Sequence, residues 1–222
     1  MRAWQRWWPL SGVLFAVLFV LTVVLVGDAG GSTAEEAAQE LPDAADRLAT
    51  AFLVGAVSTA FLLTFFAGVR DLVVGAAPTR TVLAALSLAP VAGAAALVMG
   101  SLATLFGLGE AAADTGVTAE VVAFASSAQY GFLVAGMMLL GLAVASASLG
   151  LRGTGALPDW LCWAGVVVAV LQLVAFMFFP MLLLVLWILV AAVVLTVRRP
   201  QEVPSVVTAE HARPTTAGLD PL

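Results

Sequence analysis

The chain has 222 residues, of which 62% are hydrophobic and only 10% are charged. Soluble domains carry about 25% charged residues, so this chain has too few charges to cover a water-exposed surface. Several uncharged apolar runs of about twenty residues indicate an integral membrane protein. The composition therefore excludes a soluble enzyme, a nucleic-acid-binding protein and a disulfide scaffold. Lys and Asn are absent, which is typical of a GC-rich bacterial genome.

The first three predicted spans are residues 10–27, 49–69 and 82–106. The first follows two arginines and three tryptophans, which is typical of an interfacial anchor. A cleaved signal peptide is the alternative for this run, although its apolar part exceeds the usual length of about 7–15 residues. Pro90 lies inside the third span. Because proline removes one backbone hydrogen bond, Pro90 is the candidate hinge.

The fourth span is harder to bound, because residues 121–151 carry no charge. One helix of this length would measure about 46 Å, well beyond a hydrocarbon core of about 30 Å. We expect a span over 130–151, preceded by an interfacial helix over 117–129. A single long, tilted helix is the alternative.

The last uncharged run, residues 160–197, is too long for one crossing. As one helix it would measure about 57 Å, so it must fold back. The only breaker within it is the segment Phe178-Phe179-Pro180-Met181. The sequence therefore predicts spans over 160–178 and 181–197, joined by a tight turn at the outer interface. The fold class is thus all-α, a polytopic six-helix transmembrane bundle.

The arginines predict the orientation, because positive residues in short loops stay in the cytoplasm. An even number of spans places both termini on one side. If that side is cytoplasmic, only Arg47 lies outside, and five tryptophans lie at the inner interface. We therefore predict a multi-pass protein of the bacterial cytoplasmic membrane with both termini inside. The inner arginines are Arg2, Arg6, Arg70, Arg80, Arg152, Arg198, Arg199 and Arg213.

The segments outside the membrane are an acidic loop over 28–48 and a tail over 198–222. In the loop, Ser32 and Glu35 have the spacing of a capping box, and so do Thr33 and Glu36, which predicts a short helix. Pro42 suits the first turn of a second helix that runs into the second span. The tail contains four prolines among polar residues, and we expect it to be disordered.

No Asp, Glu, Lys, Arg or His falls within a predicted span. Proton relays and most ion-coupled transporters require such residues inside the bundle. His211 and Cys162 are the only residues of their types, and together they cannot supply the three or four ligands of a metal site. The sequence therefore predicts no catalytic residue, no metal, no cofactor and no enzymatic activity.

The candidate binding residues are a few polar side chains at or near the spans. Ser126, Ser127, Gln129 and Tyr130 cluster at the outer start of the fourth span, and Gln172 lies within the fifth. These residues would line a pocket for a small amphipathic ligand. Alternatively, they form interhelical hydrogen bonds worth about 0.6 kcal/mol each.

Two functions are consistent with these features. The first is a non-enzymatic accessory or scaffold protein, or a binding subunit. Besides the lipid bilayer, its partner would be another membrane protein or a second copy of the chain, bound through the helical surface, where small residues allow close approach, and through the outer acidic loop. The alternative is a small transporter or a protein that binds lipids or other hydrophobic ligands, with a cavity near Gln129 and Gln172 and a hinge at Pro90. No nucleic-acid partner is expected.

The order of the spans also resembles a group of bacterial six-span membrane proteins of unknown function. The points of similarity are a short basic N-terminus that leads into Pro9-Leu-Ser-Gly12, a larger outer loop after the first span, and the segment 157–165 (Leu-Pro-Asp-Trp-Leu-Cys-Trp-Ala-Gly) before the fifth. The resemblance implies a six-helix bundle. It implies no catalytic or ligand-binding residue.

Overall fold

The structure, a computed structural model, describes residues 4–27, 33–174 and 178–198, and these residues form six α-helices. Every one of them except α5 is long and apolar enough to cross a membrane, which confirms the all-α prediction. The predicted disordered tail lies outside the described residues, apart from Arg198. The helices are α1 (Trp4–Val26), α2 (Ala34–Ala76), α3 (Thr81–Thr115), α4 (Ala119–Leu151), α5 (Asp159–Leu171), which continues into a 3-10 turn (Gln172–Val174), and α6 (Phe178–Val197).

The helices are arranged as a closed ring. Each packs against the next in the chain, α6 packs against α1, and α2 also contacts α4 across the ring. Every helix contributes to one apolar core, in which Phe65, Leu140 and Ile188 are almost completely buried. Because lipid tails are as apolar as the core, such a bundle depends on close van der Waals packing rather than on the hydrophobic effect.

Glycines allow the closest of these contacts. The indole of Trp8 in α1 lies directly over Gly68 in α2, where a Cβ atom would overlap the ring. At Gly12, a Cβ atom would lie 2.7 Å from the side chains of both Ala192 in α6 and Phe65 in α2. These glycines therefore bring α1 against both of its neighbours.

Three helices are much longer than the bilayer is thick. At about 1.5 Å per residue, the 43 residues of α2 extend for about 64 Å, and α3 and α4 each extend for about 50 Å. Their surplus lengths pack together at one end of the bundle around a second apolar cluster. We call this part, residues 34–48, 105–115 and 119–129, the cap. Its buried residues are Ala37, Leu41, Ala44, Leu48, Leu108, Ala112 and Val122.

The surface of the cap is strongly acidic. Its eight acidic side chains are all exposed, and Arg47 is its one basic residue, so its net charge is −7. The opposite end of the bundle is basic. There, Nη1 of Arg80 donates hydrogen bonds to the carbonyls of Leu149, Gly150 and Arg152, which end α4. The acidic residues of the cap are Glu35, Glu36, Glu40, Asp43, Asp46, Glu110, Asp114 and Glu120.

The cap differs from the loop that the sequence predicts. Residues 34–48 do not contain a separate short helix before the helix that runs into the second span; they continue α2 without interruption, with Pro42 exposed inside the helix. The N-cap half of the capping box at Thr33 is present, since its hydroxyl accepts a hydrogen bond of 3.2 Å from the backbone N–H of Glu36. In the same way, α4 is one continuous helix rather than a span preceded by a separate interfacial helix, and its outer part buries Val122 in the cap.

Two glycine variants of α2 test the packing of the ring. We expect Gly68→Ala to lower stability by about 1–3 kcal/mol, because the new methyl group overlaps the indole of Trp8. Gly75→Ala is the matched control, since a Cβ atom there meets no other atom within 4 Å and alanine favours a helix by up to about 1 kcal/mol. Thermal unfolding in mild detergent measures both. Equal effects at the two positions would contradict the close contact between α1 and α2.

Candidate functional site

A cavity of about 240 Å³ lies between α1, α2, α3 and α4, with Met181 of α6 completing its wall. Along α1 its lining extends from Phe15 to Gly27, which corresponds to about 18 Å of helix. The cavity is therefore long and narrow, and it runs parallel to the bundle. Its volume exceeds that of an engineered apolar cavity of about 150 Å³ that binds benzene.

The cavity is closed at one end and open at the other. At the closed end, Phe15, Met137 and Leu140 are at most 3% exposed. At the other end, Val23 is 37% exposed, Gly27 is exposed and Gln129 is half-buried. The mouth therefore lies where α1 ends and the cap begins. Gly27 has a φ of +50°, a left-handed conformation that suits glycine and allows the chain to leave α1 there.

Five polar side chains line the cavity, and no charged side chain does. Three of them donate their hydroxyl proton to a backbone carbonyl of the bundle. Thr22 and Thr59 each donate to the carbonyl four residues earlier, at 2.8 Å, and Ser58 donates to the carbonyl of Phe15 in α1, at 3.2 Å. These hydroxyls can therefore offer a ligand oxygen lone pairs but no proton.

The other two polar groups form a pair near the mouth. Nε2 of Gln129 in α4 donates a hydrogen bond of 3.0 Å to Oγ of Ser101 in α3. Ser101 is 2% exposed, whereas Gln129 reaches the mouth. Within the described parts of the chain, the Ser101 hydroxyl proton and the Gln129 amide oxygen form no further hydrogen bond. This pair therefore retains two donors, the Ser101 hydroxyl and the second amide N–H of Gln129, and the Gln129 amide oxygen as an acceptor for a ligand.

Of the residues that the sequence singles out, only Gln129 lines the cavity. Ser126 is half-buried outside the lining, and Ser127 is exposed and donates to the carbonyl of Ala123. Tyr130 is 44% exposed and also lies outside the lining. Pro90 is one turn away from Ala94, at which the α3 part of the lining begins, and does not itself contribute to it.

Gln172 has a structural position rather than a place in the cavity wall. It is 1% exposed, its Cβ and Cγ atoms pack against Gly141, and its Nε2 donates a hydrogen bond of 2.5 Å to the carbonyl of Pro180. Among the described residues, its Oε1 atom has no partner. Gln172 therefore ties the end of α5 to the first turn of α6, in which Pro180 lies.

Nothing in the sequence singles out Thr22, Ser58, Thr59 or Ser101. Serine and threonine in membrane helices commonly donate to a carbonyl of the preceding turn, so their presence alone does not indicate a site. Only the packing of α1, α2 and α3 shows that all four side chains surround one space.

Comparison with family models, curated proteins and solved structures gives no match to this chain. The resemblance to six-span bacterial membrane proteins therefore stays a prediction.

We predict that Gln172→Ala lowers stability by about 1–2 kcal/mol, because it removes the hydrogen bond to Pro180 and the packing against Gly141. Gln39→Ala is the control, since Gln39 is exposed on the cap. The measurement is the midpoint of thermal unfolding, followed by circular dichroism. If the two variants unfold at the same temperature, the contact between α5 and α6 is not stabilising.

Proposed function

We propose that this protein is a non-enzymatic accessory protein of the bacterial cytoplasmic membrane that binds a small, largely apolar molecule in the cavity between α1 and α4. The cavity itself carries the proposal, because it is larger than a packing defect and has a closed end, a mouth and a few polar groups on an apolar wall. Small-molecule sites commonly combine these features.

The chemistry of the lining favours binding over catalysis. The lining contains hydroxyl groups and one amide, but no acid, base or thiol. Three of the four hydroxyl groups donate to backbone carbonyls, so no neighbouring group is placed to activate them as nucleophiles.

Binding is also favoured over transport. The closed end is filled by large buried side chains, among them Phe15, Leu62 and Met181. A transported molecule would have to displace them to reach the basic end of the bundle. The candidate hinge, Pro90, lies in α3 beyond this closed end.

The proposed topology has six spans, with both termini in the cytoplasm and the cap outside. The charge distribution supports this orientation, because Arg70, Arg80, Arg152 and Arg198 lie at the end opposite the acidic cap. With its 3-10 turn, α5 has 16 residues and is about 26 Å long, which a slightly thinned bilayer accommodates.

Filling the cavity tests the proposal. We expect an uncharged photoreactive octanol to label the wild-type protein at Met137, Leu140 and Met181, because these residues surround the closed end. Ala95→Phe places a ring in the cavity and should abolish this labelling. Ala96→Phe, on the exposed side of the same helix, is the control and should label like the wild type. Labelled residues are identified by mass spectrometry of proteolytic peptides. Equal labelling of both variants would show that the cavity is not the binding site.

A further inference from the structure

The mouth of the cavity lies beside the one basic residue of the cap. A Cβ atom on Gly27, which lines the mouth, would lie 3.8 Å from Nη1 of Arg47. Arg47 belongs to the α2 part of the cap, two residues before the predicted start of the second span. The guanidinium group is therefore placed at the edge of the apolar cavity, at the expected level of the lipid headgroups.

Arg47 is surrounded by acidic residues but pairs with none of them. Asp43 lies four residues earlier on the same helix, the spacing at which an acidic residue and a following arginine normally interact. Nevertheless, the only ion pair within the described residues is between Arg70 and Asp71, so none of the carboxylates that the structure describes has an oxygen within 4.0 Å of the Arg47 guanidinium. Arg47 also donates no hydrogen bond within these residues, and its donors remain available for an anion.

We propose that the cavity binds the single hydrocarbon chain of an anionic amphiphile, whose carboxylate or phosphate headgroup contacts Arg47. This inference rests on the proposed function and adds the class of ligand. The long, narrow shape of the cavity suits one chain rather than the two chains of a phospholipid. The headgroup would lie at the mouth, next to the Ser101–Gln129 pair, and the end of the chain would reach Met137 and Leu140.

The acidic surface of the cap does not prevent this binding. Its carboxylates are exposed to water, where salt screens their repulsion over a Debye length of about 8 Å. By contrast, a guanidinium in direct contact with a carboxylate or phosphate forms short, charge-assisted hydrogen bonds. Glu40 and Asp43 line one surface pocket with Arg47 and weaken its attraction for an anion. The hydrocarbon chain therefore has to supply most of the affinity, and the acidic surroundings select against anions that have no chain to anchor them.

The test uses the whole protein in phosphatidylcholine nanodiscs, with dodecanoic acid that carries a photoreactive diazirine at the end of its chain. We expect the acid probe to label the closed end of the cavity. Its affinity should be about tenfold higher than that of the matching dodecanol probe, because one hydrogen bond to a charged group contributes about that much. Arg47→Gln should abolish this difference. Arg70→Gln removes an arginine from the other end of α2 and should preserve it. Salt should weaken labelling by the acid but not by the alcohol.

Competition separates the possible headgroups. Unlabelled dodecanoate and dodecyl phosphate should each displace the probe, and the stronger competitor identifies the headgroup, whereas acetate and inorganic phosphate should not compete because they lack a chain. If the acid and the alcohol label equally and Arg47→Gln has no effect, the role of Arg47 is wrong although the cavity binds apolar molecules. If neither probe labels the closed end, the proposed function fails as well.

Discussion

The structure depends on a mismatch between the lengths of three helices and the thickness of the bilayer. A bilayer offers about 30 Å of hydrocarbon, whereas α2, α3 and α4 extend for about 50–64 Å. Their surplus must enter water on one side, where an isolated helix of this length is barely stable. The three extensions solve this problem together, because they share a small apolar core and expose their acidic side chains. The cap is thus a consequence of helices that are too long for the membrane.

The position of the cavity follows from the same mismatch. Near the mouth, α1 ends at Val26, while α2, α3 and α4 continue into the cap. A helix that ends beside three that continue leaves an opening at its terminus, and Gly27 and Gln129 border that opening. Arg47 lies at the same level because it belongs to the part of α2 that joins the membrane region to the cap. The mouth of the cavity and the position of Arg47 beside it therefore both follow from the end of α1 next to three helices that continue.

Hydropathy was sufficient to predict the helices but not their extent. The apolar runs identify the helical fold because lipid allows few alternatives to a helix. The continuation of α2 through the acidic segment also had a signal in the sequence, since Ala37, Leu41, Ala44 and Leu48 recur at helical spacing. Pro42 and the many charged residues of this segment predict a break in the helix instead, and they outweigh the helical spacing of the apolar residues. An exposed proline is tolerated there because water can hydrogen-bond the carbonyl that it leaves free.

The cavity could not be predicted from the sequence, because it depends on which faces of four helices meet. Gln129 and Gln172 look equivalent as polar residues in apolar runs. Only the packing shows that one lines the cavity, while the other hydrogen-bonds to Pro180. In the sequence, Arg47 stands out only as the one arginine on the outer side, and its place beside the cavity is shown by the neighbouring Gly27.

A nitroxide scan along α2 tests the continuous helix and its division between water and lipid most directly. Single cysteines in a Cys162→Ser background, from residue 34 to residue 62, would be spin-labelled in lipid vesicles of known orientation. Over residues 34–48, accessibility to an impermeant nickel chelate added outside should oscillate with the helical period of about 3.6 residues, with minima at 37, 41, 44 and 48. Beyond residue 49, where the helix enters lipid, the spin labels should become accessible to oxygen instead of the nickel chelate. Uniformly high accessibility over 34–48 would show a loop instead of a folded cap, and accessibility from the inside only would reverse the proposed topology.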